Sequence, residues 1–192
     1  VIYCPIETDK FRPLNNRGNH FLIVSRLEHW KRVDYAVEAF NILGLPMKII
    51  GTGKEEPMLR SMAKSNITFL GAVDDETLVQ EYSAARAVIF TPFLEYGLIP
   101  LEANASGTPV ICYGKGGVTE TMIPVAKCLK KDDVPTAVFF YEQTAASLIK
   151  AIHQFETYTF NSADLARHAS KWSVNSFKKS IRQTVEQYHR GL

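Results

Sequence analysis

The sequence predicts an α/β fold, a doubly wound parallel sheet of about six strands with helices on both faces, on three observations. Short apolar runs alternate with amphipathic segments from Phe21 onward. The runs are apolar on both faces, as strands are when helices cover a sheet on either side. Strict alternation of strand and helix calls for right-handed crossovers between parallel neighbours.

The strands are read at residues 21–25, 47–51, 67–71, 87–92 and 109–114, with a shorter sixth at 137–141. Helical spacing lies between them. Val33, Val37, Phe40 and Leu43 form one stripe, and Leu78, Tyr82 and Ala85 another, with Asp74 or Asp75 as its N-cap. A helix starting near Gly97 would bury Leu98, Leu101 and Ala105. Further helices are expected at 144–155 and 163–170. The last, after Ser173, carries the stripe Phe177, Ile181, Val185 and Tyr188; it packs on its own domain or on another. Residues 1–20 read as a short strand or extended piece and then a linker, because Pro5, Pro13, Asn15, Asn16, Gly18 and Asn19 break any regular pattern. The expected organisation is therefore a segment at 1–20, one domain at 21–170 and a terminal helix at 171–192.

Composition narrows the function classes. A chain of 192 residues with 46% hydrophobic content can bury a proper core. Its net charge of +2 leaves no nucleic-acid footprint, so any positive field that matters is local. Cys4, Cys112 and Cys128 are far apart, which suits a reducing cytosol better than a disulfide framework. No apolar stretch approaches the roughly 18 residues of a membrane span. A cytoplasmic location follows as the expectation, with peripheral attachment of a longer parent to the cytoplasmic face of a membrane compatible with it. The chain opens at Val1 in strand-like text, as a fragment lacking an N-terminal partner domain would.

In a doubly wound sheet, ligands bind beyond the carboxyl ends of the strands. The first strand is followed by SRLEHWKR, which puts Arg26 at the strand tip and Lys31 near the next helix. Two cations converging on a helix N-terminus suit a diphosphate, although a turn with solvated basic residues reads the same way. Gly51 and Gly53 follow the second strand, where glycine permits close ligand approach or simply a tight turn. The segment is not a dinucleotide fingerprint, because it lacks a third glycine and follows the wrong strand. In TPFLEYGLIPLEANASGTP the backbone N–H groups of Tyr96, Gly97 and Leu98 would face the crevice. Glu102 falls beside the buried face of the following helix, where a carboxylate needs hydroxyl or cationic partners. Ribose hydroxyls would serve, and so would a structural salt bridge. Gly114, Gly116 and Gly117 form another turn at the same edge. The histidines show no metal-ligand spacing, and no G-x-S-x-G elbow is present. Glu95 and Glu102 flank a helix N-terminus, a poor setting for a glycosidase acid.

These segments, in this order, resemble the C-terminal domain of family-4 retaining glycosyltransferases, which have the GT-B architecture of two facing Rossmann-like domains. CPIETDKFRP is similar to the interdomain passage and VSRLEHWKRVDYAVEAFNIL to the basic strand–helix segment. IIGTGKEEPMLRSMA, NITFLGAVDDETLVQEYSAARAVIFTP and GLIPLEANASGTPVICYGKGGVTET follow in register. VFFYEQTAASLIKAIHQFE resembles a bacterial subgroup that includes mannosyltransferases of surface-polysaccharide assembly.

The resemblance implies that Arg26 and Lys31 hold the donor diphosphate and that Glu102 binds the ribose hydroxyls. It implies that Tyr96, Gly97 and Leu98 offer backbone amides to sugar and phosphate, while Gly51 to Gly53 and Leu70–Gly71 border the base. The donor substrate would be a nucleoside-diphosphate sugar, GDP-mannose first, with no metal and no other cofactor. The acceptor would bind the absent N-terminal domain. One departure stands out. The family's paired glutamates lie eight positions apart, whereas Glu95 and Glu102 are seven apart, which puts Leu94 at the first position. Either Glu95 substitutes through a local backbone shift, or the sugar contact is lost and the domain is a non-catalytic nucleotide-sugar-binding module.

Overall fold

The computed structural model describes residues 1–14, 18–128 and 134–190. The linker residues Asn15 and Asn16 fall outside the described residues.

Six strands form one sheet: β1 (Phe21–Val24), β2 (Met47–Ile50), β3 (Ile67–Gly71), β4 (Val88–Phe90), β5 (Val110–Tyr113) and β6 (Ala137–Phe140). All neighbours are parallel and the spatial order is β3-β2-β1-β4-β5-β6. The chain builds outward from β1 to β3, then returns to lay β4 against the other side of β1. The carboxyl ends of β1 and β4 are thus the point where strand order reverses, and loops leaving there diverge to form a crevice.

Each strand feeds two cores because successive side chains point to opposite faces. Phe21 and Ile23 of β1 enter one core with Ile89, Ile111, Val138 and Phe140. Leu22 enters the other with Val88, Phe90, Val110 and Cys112. The first core is covered by α1 (Asp34–Leu43), α2 (Glu56–Met62) and α6 (Ala145–Phe155). The second is covered by α3 (Asp75–Ala84), α4 (Leu98–Ala105), α5 (Val118–Thr121) and α7 (Ser162–Ala169). Burial on both sides is why these runs carry no polar alternation.

Helix starts follow local chemistry. Asp74 caps α3 by accepting from the Thr77 backbone N–H at 2.8 Å. Thr144 caps α6 through Ser147, and Asn161 caps α7 through Ala163 and Asp164. Helix α2 was not legible as a stripe because Leu59 is its only buried residue.

Residues 1–20, expected as a short strand or extended piece and then a linker, carry a single bridge from Ile6 to Ser173 among the described residues, which fits the extended piece. One expectation is corrected. Leu98 is not on the buried face of α4; it is 39% exposed, while Pro100, Leu101, Asn104 and Ala105 are buried. Leu98 occupies the first helical position, where it stays open to solvent, one turn before the wholly buried Leu101.

The terminal helix α8 (Val174–Arg190) leaves Ile181, Val185 and Tyr188 exposed. Phe177, the first residue of the stripe, is half-buried and lines a groove with Tyr3 and Trp172 of the same domain, so the start of α8 lies against its own domain while the later positions of the stripe stay exposed. Among the described residues no helix is long and apolar enough to cross a membrane.

Candidate functional site

The tip of β1 is held by its neighbours before any ligand enters. Ser25 N–H donates to Ile50 O at 3.0 Å and Leu27 N–H to Thr52 O at 2.9 Å. Leu27 is wholly buried and anchors the loop between two outward-facing neighbours, Arg26 and Glu28. The chain then makes a single 3₁₀ turn over His29–Lys31, ending on Arg32 in the left-handed region at φ 53°.

Gly51 and Gly53 explain themselves through this contact. A Cβ on Gly51, which has φ 119°, would lie 1.9 Å from Ser25 O, and one on Gly53 would lie 2.3 Å from Leu27 O. The glycines therefore admit the protein's own β1–α1 loop. Gly51 N–H also donates to Gly71 O at 2.8 Å, joining the turns after β2 and β3. Leu70 packs against the second core.

A cleft of about 490 Å³ opens at this edge, lined by Ser25, Arg26, Gly51, Gly53 and, from α4, Ile99. Glu28 and Ala72 also border it, two positions that carry no recognisable signal in the sequence. Ala72, rather than Leu70 or Gly71, supplies the third strand's contribution to the lining.

Lys31 stands close enough to Arg26 for the two charges to oppose each other. Burial, and then the Arg26 guanidinium, hold the Lys31 ammonium below the usual lysine range. Its Nζ lies 4.0 Å from the centroid of the Trp30 ring, a cation–π contact that offsets part of that cost. Arg26 lines the cleft together with Glu28, whereas Lys31 lies outside its lining, near enough to feel the Arg26 charge.

The β4–α4 loop completes the edge. Gly97 is the N-cap of α4 with no side-chain cap, so the first N–H groups of the helix remain available as donors. A Cβ at Gly97 would come 2.9 Å from Phe90 Cζ, which fixes how near the loop runs to the end of β4. The Tyr96 side chain turns away toward residues 3 and 4: its hydroxyl donates to Cys4 O at 2.7 Å, and its ring stacks on Tyr3. Burial pushes this phenol up to about 12, so it stays neutral.

Glu95 is exposed, and Leu94 is half-buried against the second core. The backbone at both positions is pinned. Leu94 forms a parallel bridge with Gly116, and Gly117 N–H donates to Leu94 O at 2.8 Å. A Cβ on Gly117 would lie 2.1 Å from Glu95 O. The glycine-rich turn after β5 is thus a brace for the loop that carries Glu95, a role invisible in local sequence.

Glu102 lies one turn into α4, and its partner is a hydroxyl. The Tyr82 phenol donates to Glu102 Oε2 at 2.8 Å. Burial pushes the Glu102 carboxyl above the usual range, while the Tyr82 bond and then Lys10 pull it back. Among the described residues no three His, Cys, Asp or Glu side chains are grouped as a metal site.

Residues 6–172 match the family described as glycosyl transferases group 1. An uncharacterised glycosyltransferase of Methanocaldococcus jannaschii is 32% identical over 109 residues, 52% of this chain and 28% of the relative. The alpha-1,3/1,6-mannosyltransferase of Eremothecium gossypii is 29% identical over 119 residues, 60% of this chain and 22% of the relative. In fold, the structure of Anabaena HepE in complex with UDP and glucose superposes with a TM-score of 0.77 at 19% identity, covering 97% of this chain and 56% of that one. The aligned stretches therefore span about a quarter of the curated relatives' length. The doubly wound sheet is the one found in GT-B glycosyltransferases, and with the match over residues 6–172 the chain belongs to the glycosyl transferases group 1 family.

Proposed function

We propose that this chain is the donor-binding half of a family-4 retaining glycosyltransferase, moving a hexose from a nucleoside-diphosphate sugar to an acceptor hydroxyl in glycan or polysaccharide synthesis. The observation that carries the reading is the pairing of Arg26 and Lys31 at the switch-point edge, beside the uncapped start of α4. The chemically difficult part of such a transfer is charge building on the departing diphosphate. Arg26 supplies a planar fork of donors, Lys31 a compact charge, and the α4 N–H groups of Gly97 and Leu98 fixed dipoles. No metal is invoked. Gly51, Gly53 and Ala72 would face the base, and Glu102 the ribose hydroxyls.

Mannose is the hexose favoured, because the Eremothecium relative is a mannosyltransferase and the sequence resembles polysaccharide mannosyltransferases. GDP would then be the nucleotide, although the Anabaena structure holds UDP. Residues 1–20 would be the passage between domains, and an N-terminal domain outside this chain would bind the acceptor. The isolated chain would accordingly bind donor weakly and transfer nothing.

A second reading has its own observation. Leu94 stands where the family's first glutamate is expected, and the brace from Gly116 and Gly117 resists the backbone shift that would bring Glu95 into its place. A non-catalytic nucleotide-sugar-binding module would look this way. Transfer assays on the full-length protein separate the two. With transfer present, Arg26→Ala lowers the rate roughly ten- to more than a hundredfold, the worth of one charge-assisted hydrogen bond. Normal activity in Arg26→Ala contradicts the catalytic assignment, and donor binding without transfer supports the second reading.

A further inference from the structure

Glu102 has a partner that the donor reading does not account for. Tyr82 on α3 is wholly buried, and its phenol reaches the Glu102 carboxylate from the protein side. The tyrosine has little freedom to point elsewhere. Its ring meets Phe11 edge-on at 5.6 Å, and its backbone carbonyl accepts from Thr108 Oγ1 at 2.7 Å. Thr108 is itself fully buried.

A carboxylate only accepts hydrogen bonds, and a phenol has one proton to give. Tyr82 spends that proton on Oε2, so Oε1 keeps its acceptor capacity. The nearest cation, Lys10, is engaged with Asp75 at 2.8 Å. The terminal torsion of a glutamate is soft and roughly twofold, so without an anchor the carboxylate plane is free to turn. A hydrogen bond fixed at one oxygen sets where the other one faces.

We propose that Tyr82 is a positioning residue: its buried phenol fixes the Glu102 carboxylate in the orientation that accepts from the ribose hydroxyls of a nucleotide. The inference rests on the donor-site reading above. Tyr82 touches no ligand and acts only through Glu102. A pH signature accompanies it. The groups facing Glu102 are Tyr82 from α3 and Lys10 and Glu7 from the N-terminal segment; the first two lower its pKa and Glu7 raises it, against the larger upward push of burial. Removing the phenol hydroxyl takes away a lowering contribution, so Glu102 protonates at a higher pH and nucleotide binding weakens sooner on acidification.

The test is titration of the 192-residue chain with GDP, UDP and ADP, followed by the 2′-deoxy counterpart of whichever binds. The unmodified chain is expected to prefer the ribonucleotide by about tenfold, one hydrogen bond to a charged group. Tyr82→Phe is expected to reduce that preference to about threefold or less, with affinity for the deoxynucleotide unchanged and the acid limb of binding moved upward. In a Glu102→Ala background, which leaves Tyr82 nothing to position, adding Tyr82→Phe should leave the preference where it is. A Tyr82→Phe chain that keeps the full ribose preference and the original acid limb overturns the inference. Binding with no ribose preference in the unmodified chain also overturns it, while leaving the diphosphate site standing. Failure of the unmodified chain to bind any of the three contradicts the donor-site reading itself.

Discussion

Thr91 Oγ1 donates to the backbone carbonyl of Lys31 at 2.6 Å, across the place where the strand order reverses. The Thr91 carbonyl in turn accepts from the Tyr35 hydroxyl at 2.7 Å and from Gln143 Nε2 at 3.1 Å. The loop carrying the two cations and the loop leading into α4 are therefore joined through one buried threonine. Thr91→Val keeps the shape and removes the donor. It is expected to cost about 1 kcal/mol of stability in urea unfolding and to weaken diphosphate binding several-fold, because Lys31 loses its tether. Unchanged affinity with the expected loss of stability would mean that the tie is structural only.

Gly44 before β2 and Gly51 after it separate conformational strain from steric exclusion. Gly44 ends α1 at φ 66° with nothing within 4 Å of an added Cβ, so Gly44→Ala should cost only the left-handed conformation, about 1–2 kcal/mol. Gly51→Ala adds a collision with the Ser25 carbonyl, which belongs to the backbone and cannot step aside. Its cost in a denaturant titration should exceed that of Gly44→Ala by at least about 1–2 kcal/mol. Equal costs would contradict the claim that the two turns are packed on each other.

Lys31 gives a pH prediction whose sign follows from its surroundings. Its folded pKa is lowered by burial first and by Arg26 second. Charging Lys31 therefore opposes folding, so its contribution to stability improves as pH rises from the folded pKa toward the unfolded one. Diphosphate binding runs the other way, since the ligand needs the ammonium and pulls its pKa back up. Affinity is expected to fall on the alkaline side as Lys31 deprotonates, with proton uptake on binding in that range. In Arg26→Ala whatever binding remains should hold to a higher pH, because the opposing charge is gone. An alkaline limb that does not move in that variant would separate the two cations.

Much of this was legible in the sequence, and the exceptions have physical causes. All six strands lie within the expected spans because each is buried on both faces, which leaves an uninterrupted apolar run. A cap at Asp74 or Asp75 was legible because the signal is local, and the structure uses Asp74. The position of Glu102 beside a buried face implied a hydroxyl or cationic partner, and the partner is the Tyr82 hydroxyl. Its identity was not legible, since the two residues are joined only by the packing of α3 on α4. The brace between Gly116–Gly117 and Leu94–Glu95 is hidden for the same reason. The helix start near Gly97 was legible, but the burial of Leu98 was not, because a residue in the first turn has no preceding turn to cover it. Glycines 51 and 53 read either as room for a ligand or as a tight turn, and the backbone nearest to each is the protein's own β1–α1 loop.

Arg26 and Lys31 are proposed to form a diphosphate site at the edge of β1. The most direct measurement is calorimetric titration of the chain with GDP, UDP and ADP, repeated on Arg26→Ala. Saturable binding of one diphosphate is expected, weakened at least about tenfold in Arg26→Ala. Binding of equal strength in Arg26→Ala, or none of the three bound by the unmodified chain, would contradict it.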